Sequence, residues 1–362
     1  MVDWSQLPKD LVSLIALKLH ILPDFRALSL VCVRWQQATK QRWQKYHLQV
    51  PLLMLPSQEC STSCELYNIS NHEKIQFQLP ELEHNFHGNF SQGWLATQSH
   101  NMDIYLVNPY TRVKIPLLPA APLLTCQGNY LLHLVKLSCN PTLAECVIIG
   151  GFSNMQLGFR KIGDEKWNVL HDVLVDDAIY YNDMIYVAEC RGVYNELTIL
   201  RYLGKEQKKW HIAQKKWHIA HVPHLPRKNR AYLFRSSLSN NLFCLVRHYH
   251  GACRRSCNVT IFHVMRLDEN SQRWIRVDSL DGEALFLSYD NAVSVSVSQI
   301  PGSTLKGDCI YFFGCRIFNG EECIFHHGFV GIFCMKSKQT EKILIHPHPF
   351  RRLDWFQQVV EV

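Results

Sequence analysis

Four potential metal ligands lie within ten residues past the middle of the chain. They are His248, His250, Cys253 and Cys257. Imidazole and thiolate groups are the usual ligands of zinc, but the spacing His-x-His-x2-Cys-x3-Cys matches no known zinc module. Two adjacent arginines, Arg254 and Arg255, add positive charge that disfavours a dication. We therefore interpret the cluster as the tip of a β-hairpin, and the sequence predicts neither a metal site nor another cofactor.

Other reactive side chains have weaker spacing still. Cys60 and Cys64 lie in a polar stretch, and His326-His327 follows Cys323. The carboxylate pairs Asp176-Asp177 and Glu321-Glu322 are adjacent in sequence, so on a strand their members point to opposite faces and form no acid–base pair. The chain has no nucleophile elbow, Walker loop, dinucleotide-binding glycine motif or His-Glu-x-x-His motif. The sequence therefore predicts a protein without catalytic activity.

A segment of seven residues occurs twice in tandem. Gln207–Ala213 is repeated without change as Gln214–Ala220, and seven residues are too few for a structural repeat. We interpret the duplication as an insertion in a surface loop, where added length costs little closure entropy. If one copy forms a strand, the other must bulge out or lengthen a hairpin. The segment and its flanks are basic, with Lys205, Lys208, Lys209, Lys215, Lys216, Arg227, Lys228 and Arg230.

Two tryptophans, Trp210 and Trp217, are interleaved with these basic residues. Such a pattern can contact nucleic acid or an acidic protein. A solvated loop whose tryptophans pack into the neighbouring sheet is the interpretation that we favour. The sequence thus predicts no nucleic-acid partner.

Length and composition describe a globular protein without a membrane span. The 362 residues can form one large domain or a small module with a large domain. Apolar residues make up 47 % of the chain, and no apolar run approaches the ~18 residues that a membrane helix needs. The first residues lack the basic and small-residue pattern of a secretory signal. We expect an intracellular protein, in the nucleus or cytoplasm or both, whose 14 scattered cysteines are reduced.

The first 40 residues predict two helices with a surplus of apolar surface. Ser5 could cap the first helix, Pro8 suits its first turn, and the run Leu11–Leu19 is apolar on nearly every side. After Pro23-Asp24, helical spacing predicts a second helix through Phe25, Leu28, Val31, Cys32, Trp35 and Ala38. A piece of this size seldom buries enough surface to stand alone. Either the rest of the chain or another protein must cover it.

These N-terminal residues resemble the F-box. The Leu7-Pro8-Lys9-Asp10-Leu11 start and the Val31-Cys32-Val33-Arg34-Trp35 end fall at the spacing of that family. The resemblance implies docking on the Skp adaptor of a Skp–Cullin–F-box ubiquitin ligase. Leu28 and Trp35 are expected to belong partly to the internal core of the module. The residues implied in adaptor contact are Leu7, Pro8, Leu11, Ile15, Leu19, Leu28, Val31, Cys32 and Trp35.

The remainder of the chain has the pattern of a large all-β domain. Pro51, Pro56 and a polar stretch predict a linker, and short apolar or alternating runs separated by turns follow it. One hairpin is predicted between Val259–Leu267 and Trp274–Val277. Many strands must close on themselves or leave exposed edges, and a propeller meets that demand. Because no motif recurs at a fixed period, a large sandwich or two stacked barrels stay open on this reasoning.

Further motifs are similar to the plant F-box family with a KIB-type, kelch-like β-propeller. The Asn108-Pro109-Tyr110-Thr111 turn, preceded by Gly93-Trp94-Leu95, resembles the family's turn, and Lys306–Phe312 and Leu353–Phe356 recur in its order. Phe313-Gly314-Cys315 departs from the acidic residues usual there. The resemblance implies an α+β multidomain protein. Its expected parts are a small all-α F-box of about three helices at 1–48, a linker at 49–63 and an all-β domain, a β-propeller, at 64–362.

Two functions remain open at this stage. The first is a non-catalytic substrate receptor that docks on the Skp adaptor, and through it on cullin, and presents an unknown target protein with the propeller. The second is an interaction protein without a ligase role, in which the helices cap the propeller. A β-propeller enzyme is disfavoured because the sequence contains no catalytic cluster.

Overall fold

The computed structural model describes the larger part of the chain. The described residues are 4–18, 27–46, 51–56, 63–70, 72–78, 86–99, 103–109, 112–117, 132–152, 155–170, 175–191, 196–203, 211–216, 229–249, 260–288, 290–300, 303–315, 328–345 and 354–356. Among them no helix is long and apolar enough to cross a membrane.

Three helical segments follow a short 3-10 helix at Trp4–Gln6. They are α1 at Lys9–Lys18, one helical turn at residues 27–30, and α2 at Val33–Tyr46. The Pro8 carbonyl accepts hydrogen bonds from the N–H groups of Leu11 and Val12, at 3.0 and 3.1 Å, so α1 begins directly after this proline. Ser5 lies inside the 3-10 helix, and the prediction that it caps α1 is wrong.

The second predicted helix is divided in two. The turn at residues 27–30 ends before Val31, and α2 begins only at Val33. Val31, inside the break, is β-branched, and β-branching disfavours helical backbone. The carbonyl of Cys32 accepts the N–H of Gln36 at 2.9 Å and opens α2. The count of about three helices is confirmed, whereas the single helix through Val31 is wrong.

Within the described residues, 25 strands form six sheets, each of which is one blade of a β-propeller. Blade 1, the closing blade, joins the two ends of the chain: β25 (Asp354–Phe356), β1 (Leu52–Pro56), β2 (Ser63–Tyr67) and β3 (Lys74–Gln78). Blade 2 contains β4 (Phe86–Ser91), β5 (Trp94–Gln98), β6 (Ile104–Val107) and β7 (Lys114–Leu117). Blade 3 contains β8 (Leu132–Leu137), β9 (Val147–Phe152), β10 (Gln156–Lys161) and β11 (Asn168–Leu170).

The other half of the propeller has one irregular blade. Blade 4 contains β12 (Asp177–Tyr181), β13 (Met184–Arg191), β14 (Glu196–Leu203) and β15 (His211–Lys216). Blade 5 contains β16 (Asn229–Arg235), β17 (Leu242–Tyr249), β18 (Thr260–Asp268) and β19 (Arg273–Val277). Blade 6 contains β20 (Glu283–Leu287), β21 (Ala292–Ser296), the 3-10 helix Val297–Gln299, β22 (Cys309–Cys315), β23 (Gly328–Cys334) and β24 (Thr340–Ile345). Its order is β21-β20-β22-β23-β24, and β20 runs parallel to β22.

One strand of each blade faces the propeller axis. The contacts between blades run β25–β4–β8–β12–β16–β21 around the ring. The ring is also joined between blade 6 and the closing blade, because the Trp355 Nε1–H donates to the Leu287 carbonyl at 3.0 Å. Such closure leaves few exposed sheet edges. The structure therefore confirms the propeller and excludes the sandwich and the paired barrels.

The hydrophobic core of the propeller lies between successive blades. Separate clusters of buried side chains lie between blades 2 and 3, 3 and 4, 4 and 5, 5 and 6, and 6 and 1. The predicted hairpin is present, with Leu267 of β18 opposite Trp274 of β19. The predicted linker at 49–63 contains strand β1, which pairs with both β2 and β25. That part of the linker prediction is wrong, because the partner that makes Leu52–Pro56 a strand lies at the far end of the chain.

Candidate docking surface on the N-terminal helices

The helical segments share a small core of their own. Its buried members are Val12, Ala16, Leu28, Trp35 and Ala38, and Leu7 and Cys32 pack against them. The Ser13 hydroxyl of α1 donates to the Ala38 carbonyl of α2 at 3.2 Å, which ties the two helices together. All members of this cluster come from residues 7–38, so this core is built from the helical module itself.

A second group of apolar side chains on the same segments faces outward. We call it the apolar surface, and it consists of Trp4, Leu11, Leu14, Ile15, Leu30, Val31 and Val33. Each is between 40 % and 69 % exposed. The described residues include twelve exposed large apolar side chains, and these seven of them lie within 30 residues of one another. Concentrated apolar exposure of this kind marks a protein-interaction site.

Helix geometry places part of this surface on one stripe of α1. Leu11, Leu14 and Ile15 are spaced i, i+3 and i+4, so they lie on one face of the helix. The neighbouring stripe, with Val12 and Ala16, is almost fully buried against the other helical segments. The helix is therefore apolar on two adjacent stripes, of which the module covers only one. The predicted need for cover from more than one direction follows from this arrangement.

Eight of the nine predicted contact residues are distributed over three environments. Pro8, Leu11, Ile15 and Val31 are exposed, and Leu7 and Cys32 are half-buried. Leu28 and Trp35 are each 9 % exposed and lie in the core. Leu19 lies outside the described residues. Their part in adaptor contact stays a prediction.

Sequence reasoning missed four members of the apolar surface: Trp4, Leu14, Leu30 and Val33. For Leu14 the signal was available, since it is three residues after Leu11 on the same helix face. For Leu30 and Val33 the sequence offered no such signal, because their exposure depends on the break in the helix at Val31.

Of the four residues predicted to form a hairpin tip, His248 lies within the described part of the chain, on β17, which pairs with β18. His248 faces His263 on β18, with 3.2 Å between Nε2 and Nδ1. Burial, assisted by His263, lowers the pKa of His248 to about 4. His250, Cys253 and Cys257 lie outside the described residues, and the described part of the chain contains no group of three or more metal-binding side chains.

A set of buried and half-buried polar side chains at the propeller axis was not predicted. The Lys136 ammonium of β8 forms an ion pair with Asp177 of β12 at 3.0 Å and donates to Asn291 Oδ1 at 2.8 Å. Asn291 in turn donates to the Phe90 carbonyl of β4 at 2.9 Å. The Arg230 guanidinium of β16 pairs with Asp290 at 2.6 Å. We call Lys136, Asp177, Arg230, Asp290 and Asn291 the central polar network, and it links blades 2 to 6.

The Asp177 carboxylate has a structural role in this network. It is fully buried, and it accepts the N–H groups of Ala178 and Leu233, each at 2.8 Å. Burial raises the pKa of this carboxyl group, while Lys136 and the two N–H groups favour its charged form. Through these contacts Asp177 connects β12 to β8 and β16.

The duplicated segment contributes the outermost strand of blade 4. β15 pairs with β14 from Leu203 opposite His211 to Thr198 opposite Lys216. The strand takes His211-Ile212-Ala213 from the first copy and Gln214-Lys215-Lys216 from the second, so it crosses the junction between them. Trp210 and Trp217 lie outside the described residues, as do Cys60, Cys323, His326, His327, Glu321 and Glu322.

The match to a known protein family lies in the propeller. The sequence model described as "KIB1-4 beta-propeller" matches residues 66–334, well over half of the chain. This chain belongs to the KIB1-4 β-propeller family. The match begins in β2 and ends with β23, so it takes in blades 2 to 5 entirely.

Relatives of this KIB1-4 propeller protein come from Arabidopsis thaliana and are named as F-box proteins. Putative F-box protein At4g17565 is 24 % identical over 333 residues, covering 86 % of this chain and 83 % of the relative. F-box/kelch-repeat protein KIB1 is 24 % identical over 323 residues, covering 85 % of this chain and 76 % of the relative. Putative F-box protein At4g22660 is 25 % identical over 241 residues, and this chain spans only 59 % of its length.

Proposed function

We propose that this protein is the substrate-recognition subunit of a Skp–Cullin–F-box ubiquitin ligase. Residues of the N-terminal helices dock on the Skp adaptor, and through it on cullin, while the propeller presents a target protein. The observation that carries the proposal is the apolar surface of the helices, joined to a propeller of a family whose relatives are named F-box proteins.

In this proposal, five of the nine predicted contact residues have one of two roles, according to whether they lie on the surface or in the core. Leu11, Ile15 and Val31 provide apolar area that a partner can bury, together with Leu14, Leu30 and Val33. Leu28 and Trp35 hold α1 against α2 and act on docking through the shape of the module. Burial of apolar area stabilises a complex by about 25 cal/mol per Å², so six such side chains are a substantial contribution.

The propeller supplies no reacting group in this proposal. Its buried polar side chains, such as Asp177 and Lys136, are engaged with one another and with the backbone. A receptor of this kind acts by proximity, since holding a target near the ligase raises the effective concentration of its lysines at the ubiquitin carrier. Catalysis then belongs to other subunits.

Binding of a purified Skp adaptor to the full-length protein tests the proposal. The double variant Leu11→Glu/Val31→Glu places two charges on the apolar surface, and we expect at least about tenfold weaker binding with an unchanged circular dichroism spectrum. The matched control is Ile275→Glu on β19, because Ile275 is also an exposed apolar side chain, 45 % exposed, but lies on the propeller.

The control is expected to bind like the unmodified protein. Two results would contradict the proposal: no binding by the unmodified protein under conditions in which another F-box protein binds, or equal affinity for the double variant and the control. The second result would mean that the helices serve another purpose than adaptor docking, as in an interaction propeller without a ligase role.

A further inference from the structure

Two cysteines of blade 6 lie directly opposite each other on neighbouring antiparallel strands. Cys309 opens β22, Cys334 ends β23, and the two are register partners. Both are thiols in this structure; Cys309 is buried and Cys334 is half-buried. Whether such a pair can be joined depends on its position in the hydrogen-bond ladder.

The ladder places them at a site that accommodates a disulfide. The N–H and C=O of Cys334 are both used within its own hairpin, with Gln339 O and Lys338 N at 2.9 Å each. The next pair along the strands is bonded, because Met335 N–H donates to Asp308 O at 3.0 Å. Cys309 and Cys334 are therefore a non-hydrogen-bonded pair, for which the Cα atoms lie about 4.5 Å apart, inside the range found for disulfides.

The two sulfur atoms have opposite surroundings. The pKa of Cys334 is lowered to about 7, chiefly by the Ser337 hydroxyl and by the N–H groups of Ser337 and Lys336 in the hairpin turn, with a smaller effect from the Cys309 thiol. Burial raises the pKa of Cys309 to about 11, with added repulsion from Asp308. The Lys306 ammonium lies near both sulfurs and favours negative charge there.

We propose that Cys309 and Cys334 form a reversible redox pair, in which Cys334 is the reactive thiolate and Cys309 completes a cross-strand disulfide. The oxidant is hydrogen peroxide. The Cys334 thiolate attacks one peroxide oxygen, the O–O bond breaks, and the released hydroxide takes up a proton to form water, leaving Cys334 as a sulfenic acid. The Cys309 sulfur then displaces the sulfenic hydroxyl, its thiol proton leaves with that hydroxyl as a second water, and the S–S bond forms. Two molecules of a small thiol restore both cysteines by exchange: the first forms a mixed disulfide, and the second releases the remaining cysteine as a thiol with formation of the oxidised small thiol.

Another pair of neighbouring cysteines in the chain provides an internal comparison. Cys146 of blade 3 donates its thiol to the carbonyls of Cys139 and Val147, at 3.2 and 3.8 Å. Its pKa is raised to about 11, chiefly by burial. Cys146 is a thiol donor with a raised pKa, whereas the groups of the hairpin turn lower the pKa of Cys334. In both pairs the two cysteines interact with each other. A difference in reactivity between the pairs therefore reports on the groups that surround the reacting sulfur.

Differential alkylation of the full-length protein tests the proposal. After one equivalent of hydrogen peroxide, we expect the intact mass to fall by two hydrogens, Cys309 and Cys334 to become resistant to alkylation, and both to return with dithiothreitol. Cleavage after Lys and Arg leaves Cys315 on the peptide of Cys309 and Cys323 on that of Cys334, so fragmentation of the linked peptides must locate the bond. A bond between other cysteines, or none, overturns the proposal.

The pH dependence of alkylation in the reduced protein tests the role of the turn. At pH 7 we expect Cys334 to react about threefold faster than Cys139, with an inflection near pH 7. Ser337→Ala removes one donor and should move that inflection towards 8.5, while Ser239→Ala in the exposed hairpin of blade 5 should leave it unchanged. Equal rates for Cys334 and Cys139, or the same inflection in Ser337→Ala, would contradict the assignment of Cys334 as the reactive thiolate.

Discussion

The polar side chains at the propeller axis and the apolar side chains on the N-terminal helices differ in whether other parts of the chain contact and cover them. At the axis, charged and polar side chains are buried and contact one another across blades, as Lys136 contacts Asp177 and Asn291. On the helices, apolar side chains such as Leu11, Val31 and Val33 are left in contact with solvent. The charged groups at the axis are therefore paired within the chain, whereas the apolar groups on the helices are left exposed.

This difference separates residues that maintain the fold from residues available for binding. A buried ion pair is costly to break because the remaining charge stays out of water. An exposed apolar side chain contributes little to stability and becomes valuable only when a partner covers it. Substitutions in the two regions should thus affect different measurements, and the following experiments test that separation.

The largest effect is expected for Lys136→Met. The change leaves the fully buried Asp177 without its counter-ion, and breaking a buried pair from one side costs about 3–5 kcal/mol of unfolding free energy. Urea denaturation followed by circular dichroism measures it. Lys306→Met, which breaks the exposed ion pair with Glu341, serves as the control and should leave the transition in place. Similar transitions for the two variants would show that the central polar network does not hold the blades together.

A smaller and more local effect is expected for Trp35→Ala. Removing this buried ring costs about 3 kcal/mol within the helical core, so hydrogen exchange in α1 should accelerate. Exchange in the propeller strands should stay as it is, and Leu14→Ala, at an exposed position, should change neither. Faster exchange in the propeller of Trp35→Ala would instead support the interpretation of the helices as a cap on that domain.

The third effect depends on pH and concerns the histidine pair of blade 5. The pKa of His248 is lowered to about 4 in the folded protein, and burial, His263, Arg276 and Lys338 all oppose positive charge on the pair. Between pH 6.5 and 4 the unfolded chain therefore binds a proton that the folded protein does not. The contribution of His248 to the free energy of unfolding is therefore at its full value above pH 6.5 and decreases as the pH falls towards 4.

Urea denaturation at pH 7.5 and pH 5 measures this contribution, which we expect to be about 2 kcal/mol. His248→Gln should show a correspondingly smaller loss on acidification, whatever its stability at pH 7.5. His72→Gln, at an exposed turn of the closing blade, should behave like the unmodified protein. An identical loss in His248→Gln would exclude the histidine pair as its cause.

Local patterns in the sequence predicted what depends on near neighbours. The hairpin from Val259 to Val277 was found because alternation and a polar turn are properties of a few adjacent residues. The break at Val31 was missed because apolar spacing continues through it, while the backbone does not. Of the apolar surface, spacing on α1 could identify Leu11, Leu14 and Ile15, but not how far the module covers them.

Features that depend on distant parts of the chain could not be predicted in this way. β1 lies where prolines and polar residues indicated a linker, because its partner β25 lies some 300 residues away. Lys136 and Asp177 carry no shared sequence pattern, and only the ring of inner strands brings them together. The parallel pairing of β20 with β22 likewise depends on the position of β21, which follows β20 in the chain but lies at the axis, so that the next strand, β22, pairs with the other side of β20.

The pairing of β25 with β1 also fixes the order in which the protein can be completed on the ribosome. At roughly 5–20 residues per second, β1 to β3 wait tens of seconds for the strand that completes their blade. Throughout that time the axial edge of β1 is open to other chains, and an unpaired edge invites aggregation. Translation that stops before Asp354 leaves this edge open permanently and removes the Trp355 contact with Leu287. Incomplete chains are thus expected to become substrates of chaperones and proteases rather than folded propellers with a shortened tail.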